Sequence, residues 1–265
     1  MNIKIYVISL SSSKSRRHFL EKQFDELGLE FEVIDALTPK DIPKERIHIL
    51  SKQWLRPMKN TEVACYLSHK KIWEKISNDN SPSLIFEDDV LLSKRIVPLL
   101  NSICLMQGNY DLINLENRGR KKFVSRTFIN IDGYHKLLRL YQDRTGAAAY
   151  VLSRNGANKL IEHEKRNGIA LADAHITSCK NIQSFQVEPA VAIQFDQCKF
   201  YEITLGNIKS KSMSQSTVSS AINNKGGVIY RIKRLKFQLS LGIRQLMLIL
   251  ISKRRYIDLI RDDFL

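Results

Sequence analysis

The 265-residue chain has only four cysteines, Cys65, Cys104, Cys179 and Cys198, and none forms a Cys-x-x-Cys pair or keeps zinc spacing. A cysteine-built zinc module and a disulfide scaffold are both excluded. The four cysteines read as small buried hydrophobes in a reducing compartment. Long apolar runs are also missing. The longest uncharged one, residues 246–251, is far short of the roughly 20 residues that cross a bilayer. The opening Met1-Asn2-Ile3-Lys4-Ile5 enters a strand pattern at once and lacks a signal-peptide layout. The expected location is therefore the cytoplasm, peripherally at the inner membrane face. No internal repeat is found.

Acidic residues are scarce as well. Against 42 Lys and Arg stand 27 Asp and Glu, a formal net charge of +15. Such a field favours polyanions: nucleic acid, nucleotide phosphates or an anionic membrane surface. The imbalance is concentrated in residues 206–265, which hold twelve Lys and Arg against three Asp, a net of +9. A metal-dependent nucleic-acid-binding protein or nuclease is permitted by this charge. However, basic–aromatic interleaving, a zinc module and a recognition-helix pattern are all missing, so a nucleic-acid partner is not expected.

What the sequence does have is Glu87-Asp88-Asp89 at the end of the apolar run Ser83-Leu84-Ile85-Phe86, which follows Pro82. The run reads as a buried strand. Buried charge is costly unless it is paired or ligates a metal. In an extended segment alternate side chains share a face, so Glu87 and Asp89 point one way and Asp88 the other. Two hard oxygen donors at that spacing suit Mg²⁺ or Mn²⁺ that also carries phosphate oxygens. The plainer alternative is a solvated strand end followed by a turn.

Around this point the chain reads as α/β. A strand over residues 3–10 is followed by Ser11-Ser12-Ser13, a helix with Leu20, Phe24 and Leu27 on one face, and Gly28 as its stop. A short strand covers residues 31–34. Residues 35–59, with Pro39, Pro43 and Pro57, read as irregular. Helices are expected at 61–76, 96–106, 154–163 and 173–179, and strands at 110–115, 147–152 and 184–187. Residues 123–141 are β-like around Gly133. The Ser-, Asn-, Lys- and Gly-rich stretch 205–227 reads as a linker or mobile loop, and basic amphipathic helices follow it. The expected domains are residues 1–204 and the extension 205–265.

The order of motifs resembles glycosyltransferase family 25, the lipooligosaccharide galactosyltransferase group related to collagen galactosyltransferases. The opening Ile5-Tyr6-Val7-Ile8-Ser9-Leu10 with Arg16-Arg17 is similar to its first strand and loop. Glu62, Cys65, Ser68 and His69 match its E-x-x-C-x-x-S-H helix, and Leu84 to Asp89 its metal motif. Gly146, Tyr150 and Ser153 match G-x-x-x-Y-x-x-S. Ala172-Asp173, Val187-Glu188-Pro189 and Ile193-Gln194 resemble later motifs. The likeness spans about residues 3–197.

The resemblance implies a GT-A-like nucleotide-binding fold with a mainly helical basic C-terminal extension. It also implies inverting transfer of a hexose, usually galactose, from a UDP-sugar to a lipid-linked oligosaccharide. Glu87 and Asp89 would hold Mn²⁺ or Mg²⁺ on the diphosphate, with Asp88 supporting them or touching the ribose. Asp173 is the candidate base, its alternative use being a helix cap. Glu116 is the competing carboxylate. Ser9, Leu10, Arg16 and Arg17 follow the first strand, where open α/β sheets bind ligands, and should meet the nucleotide. Ser68, His69 and Gln194 would complete the donor pocket, though a lone His on a helix face is more often a core residue. The basic extension reads either as a membrane-surface element or as a helical appendage or homodimer contact.

Overall fold

The computed structural model describes residues 3–106, 110–143, 146–203 and 227–264. It is a mixed α/β protein. The first unit is β1 (Lys4–Ser9), α1 (Lys14–Leu27) and β2 (Glu32–Asp35); α1 ends on Gly28, whose left-handed backbone (φ 63°) an L side chain rarely adopts. Then come α2 (Lys44–Ser51), α3 (Asn60–Ser77), β3 (Ser83–Glu87), β4 (Val90–Leu92) and α4 (Ile96–Leu105). The middle of the chain holds β5 (Leu112–Asn114), the hairpin β6 (Lys122–Asn130) and β7 (Lys136–Gln142), β8 (Ala149–Leu152), α5 (Arg154–Asn167) and α6 (Ala172–Ser178). Last are β9 (Ser184–Glu188), β10 (Ala192–Gln194), α7 (Phe195–Cys198), α8 (Val228–Leu248) and β11 (Ser252–Arg255).

Nine strands form one sheet in the order β11-β6-β7-β9-β5-β8-β3-β1-β2, and β4 and β10 form a small antiparallel pair. β3, β1 and β2 are parallel, and β8 runs against both β3 and β5. Strand parity sorts the core into two layers. Tyr6, Ile8, Ile85 and Tyr150 face α3, α5 and α6; Val7, Phe86 and Val151 face α1 and α4. Because β1, β2 and β3 are parallel, their C-terminal ends lie at one edge, where Ser9 is level with Asp35 and Ile8 with Glu87. The antiparallel β8 brings its N-terminal end, preceded by Gly146 and Ala147, to that same edge.

Two features depart from the sequence reading, and a third reading falls outside the described residues. Residues 44–51 form a helix inside the stretch read as irregular. The linker assigned to 205–227 lies almost wholly outside the described residues. Among the described residues the extension is helical over α8 and in a short 3-10 turn at Arg261–Phe264. Its later residues join the main sheet: β11 pairs antiparallel with β6, Arg255 forms a two-pronged ion pair with Glu188, and Ala190 N–H donates to Asp258 O at 2.8 Å.

The layer under α3 carries a buried histidine. His175 stacks on Trp73 with centroids 5.6 Å apart, and its Nε2–H donates to Leu160 O at 3.0 Å. Burial pushes its pKa down to about 4. The unfolded chain binds that proton near pH 6.5, so stability falls as pH drops from 6.5 towards 4, by about 3 kcal/mol from this group. Urea unfolding of wild type and His175→Gln at neutral and acid pH should show a shallower acid loss in the variant. Equal acid losses would remove the histidine from the account.

Candidate active site

The shared edge of the sheet opens onto a cavity of ≈ 320 Å³, lined by the loops after β1, β2 and β3 together with α3, Gly146-Ala147 and the start of α6. A volume near 300 Å³ is at the small end of ligand pockets. Glu87 is the last residue of β3, and Asp88 and Asp89 form the turn into β4. Their side chains separate only in part, because Arg16 Nη1 bonds Asp88 and also lies 3.8 Å from Asp89 Oδ2. Asp88 is buried, accepting from Ser9 Oγ at 2.8 Å and from Arg16 Nη1 at 2.7 Å. Glu87 and Asp89 converge instead on Gln194, whose Nε2 donates to Glu87 Oε2 at 3.2 Å and to Asp89 Oδ1 at 3.0 Å. The small β4–β10 sheet fixes that meeting, because it sets Gln194 opposite Val90.

A directional hydrogen-bond chain ends on Glu87. Trp73 Nε1–H, which can only donate, reaches the Tyr150 oxygen at 2.9 Å. Tyr150 O–H then donates to His69 Nδ1 at 3.1 Å, and His69 Nε2–H to Glu87 Oε1 at 3.1 Å. Burial holds the Tyr150 phenol protonated. Burial, the largest single influence, pushes Glu87 upward, but His69 together with the Arg118 and Arg16 charges outweighs it, and the carboxyl sits below its usual range. Asp89 goes the other way: burial, then the Glu87 charge, raise it to about 7.

On the cavity wall Asp173 lies in the first turn of α6, which begins at Ala172, and its Oδ1 accepts from Ala174 N–H at 2.7 Å. Burial raises its pKa.

Known proteins bear on this geometry. The family described as Glycosyltransferase family 25 (LPS biosynthesis protein) matches residues 2–176. The chain belongs to glycosyltransferase family 25. Its sequence is 30% identical over 209 residues to the lipooligosaccharide biosynthesis protein lic2B of Haemophilus influenzae, covering 72% of this chain and 76% of that protein. It is 28% identical to the lacto-N-neotetraose biosynthesis glycosyltransferase LgtE of Neisseria meningitidis serogroup B, covering 59% of each. Against procollagen galactosyltransferase 1-A of Xenopus laevis it is 27% identical, covering 61% of this chain and 28% of that one. The inositol-1-phosphate CTP transferase of T. maritima superposes with a TM-score of 0.36 at 13% identity, covering 82% of this chain and 79% of that one, too distant to bear on the fold. Family membership makes the chain a glycosyltransferase, and lic2B among its relatives is a lipooligosaccharide biosynthesis protein.

The remaining family motif residues divide between the cavity and the scaffold. Ser9, Leu10, Arg16, Ser68, His69 and Gln194 line the cavity. Ser68 is held by its own scaffold: its hydroxyl donates to Ala64 O and accepts from Leu37 N–H, tying α3 to the loop after β2. Arg17 is turned away, bonded to Asp35 and to the Ser9 and Leu10 carbonyls. Trp73 is core, and Trp54 packs edge-on against Phe237 of α8.

Glu116 is fully buried behind Gly146, off the cavity lining. Its Oε2 accepts from Ala148 N–H at 2.9 Å, its Oε1 has no partner, and burial raises its pKa. As placed, it backs the Gly146-Ala147 wall and does not itself line the cavity. Gly146 has φ +95°, and a Cβ there would lie 2.5 Å from the Glu116 carboxylate. Gly146→Ala should therefore lower stability by about 3 kcal/mol, through both the positive φ and the clash. Chemical denaturation measures it; a loss under about 1 kcal/mol would mean that the wall yields.

Arg118 is the cavity residue that sequence reasoning missed. It lines the site and pairs with Asp196 at 2.9 Å, close enough to Glu87 and Asp89 for their charges to raise its pKa along with those of Glu116 and Asp196, against burial. Nothing in Asn117-Arg118-Gly119-Arg120 marks which arginine turns inward.

The donor set fits a hard divalent cation. Two half-buried carboxylates share one amide, and Gln194 Oε1 is buried without a partner. Rotating that amide would offer an oxygen where a nitrogen now sits. A softer set overlaps it: ligand atoms of Cys65, His69 and Glu87 lie within 4.8 Å of one another. Burial, followed by the nearby carboxylates, keeps the Cys65 thiol protonated, which disfavours it as a ligand.

Proposed function

We propose that this chain is an inverting, metal-dependent hexosyltransferase of the GT-A type. It moves galactose, with glucose as second candidate, from a UDP-sugar to a hydroxyl of a lipooligosaccharide or lipopolysaccharide core acceptor. The observation that carries the reading is the convergence of Glu87 and Asp89 on the wall of a cavity that also holds Asp173. Manganese or magnesium, when bound, supplies Lewis-acid stabilisation of the charge that develops on the leaving diphosphate. Glu87, Asp89 and Gln194 would hold it.

The protein's own groups do the rest. The chain from Trp73 through Tyr150 and His69 keeps Glu87 ionised and aimed. Arg16 anchors Asp88, and so fixes the turn that carries Asp89. Arg118 adds positive charge beside the acidic pair, where a diphosphate would sit. Asp173 accepts the proton of the acceptor hydroxyl as its oxygen bonds to the anomeric carbon. The bond from that carbon to the phosphate oxygen breaks, and its electron pair leaves with UDP. Attack opposite the leaving group inverts the anomeric centre. A carboxylate in a partly desolvated wall is suited to such a base.

A donor screen that reads UDP release, followed by linkage analysis of the product, tests the reading. Mn²⁺-stimulated release from UDP-galactose in the presence of a core acceptor is the expected result. Inertness towards all sugar nucleotides, with Mn²⁺-dependent cleavage of DNA or RNA, would transfer the site to the nuclease reading.

A further inference from the structure

Helix α8 presents its apolar side to solvent. Val228, Ile232, Leu235, Leu239, Ile243 and Leu246 recur at steps of three and four, so they share one face. All are exposed, from 50% at Ile232 to 69% at Leu246. The opposite side seats the helix on the body. There Phe237 meets Trp54 with centroids 5.7 Å apart, Leu248 is buried, and Arg244 Nη2 donates to Tyr141 O at 2.7 Å. The stripe is therefore not a core face. Leu250 and Ile251, both exposed, extend it past the helix end. An apolar surface of this length on a folded protein marks an interaction site.

Charge selects the occupant. Arg231 and Lys236 are exposed beside or within the stripe, and Lys253 and Arg254 are exposed just beyond it. No Asp or Glu occurs between Glu202 and Asp258. A second copy docked face to face would set these cations against their own counterparts with no anion between them. An anionic lipid surface meets both halves of the pattern, accepting the apolar side chains below the headgroups and the cations among them. No helix of the described residues is long and apolar enough to cross a membrane, so α8 would lie in the surface plane.

We propose that α8 is a membrane-surface element for anionic phospholipid, laid flat with the stripe from Val228 to Leu246 inserted. The segment linking α5 to α6 ties this element to the chemistry. Residues 168–170 line the hollow beneath α8, and residues 171–173 line the cavity that holds Asp173. A lipid-bound α8 would thus hold the active cavity near the surface.

Flotation with phosphatidylcholine vesicles, with and without phosphatidylglycerol, tests this. The full chain should float at least ~10-fold better with the anionic lipid and lose binding as salt rises. Leu235→Glu, Leu239→Glu and Ile243→Glu combined should cut flotation at least ~10-fold, with unchanged circular dichroism. Arg231→Glu with Lys236→Glu tests the charge separately and should remove the preference for anionic lipid. Undiminished flotation of the triple variant would overturn the proposal. So would a wild-type dimer that becomes monomeric in the triple variant while neither floats, which would assign the stripe to a second copy. The assay contains no sugar nucleotide, so its outcome is independent of the transferase reading.

Discussion

Replacing Asp89 by Asn is expected to lower kcat/KM for sugar transfer by roughly 10³-fold while leaving the protein folded. Asp89 and Glu87 are two half-buried carboxylates brought to one amide, and each raises the cost of charging the other. Removing one charge relieves that repulsion, so the melting temperature should hold or rise. The same change deletes one of the two hard anionic donors, so stabilisation of UDP by Mn²⁺ should disappear. Thermal shifts with UDP alone and with UDP plus Mn²⁺, beside initial rates, separate the two effects. A variant that melts early and loses activity in proportion would make Asp89 a structural residue.

Asp173→Asn should be nearly as damaging to turnover and nearly silent in binding. Its Oδ1 accepts from Ala174 N–H within the first turn of α6, and an Asn oxygen preserves that bond. What Asn cannot do is take a proton. Loss of a general base costs roughly 10²–10⁴-fold in kcat, with KM for the donor and Mn²⁺-dependent UDP binding little changed. If Asp173 served only to start α6, the variant would keep most of its rate. If it held the donor, KM would rise and kcat would not.

Much of this site could be read from the chain because apolar patterning marks its elements. Residues 83–87 read as a buried strand, which sets Glu87 at its C-terminal end; Asp88 and Asp89 follow in a turn, where Gln194 joins Asp89 to Glu87 while Arg16 bonds Asp88 and also lies 3.8 Å from Asp89. The helices that pack the sheet were legible for the same reason, since Leu20 and Phe24 of α1 repeat at helical spacing and are fully buried. Other parts left weak traces. Helix α2 buries one residue, Ile47, so its eight residues show little periodicity. Strands β4 and β10 are three residues each, too short for alternation to register, yet they bring Gln194 to the acidic pair. Strand β11 reads Ser-Lys-Arg-Arg, with no strand propensity of its own, and exists because β6 offers it an edge. Glu116 follows strand β5, where a catalytic carboxylate is plausible, but its carboxylate is packed against Gly146 and bonded to Ala148 N–H.

The proposed transfer requires a divalent cation shared by Glu87, Asp89 and a diphosphate. Crystals grown with UDP and Mn²⁺ and measured at the manganese absorption edge would locate that ion directly. The expected map has one anomalous peak, about 2.1 Å from an oxygen of each carboxylate and in contact with the diphosphate. A peak held by Cys65 and His69 away from Asp89, or UDP bound with the Glu87–Gln194–Asp89 bridge intact and no peak beside it, would contradict it.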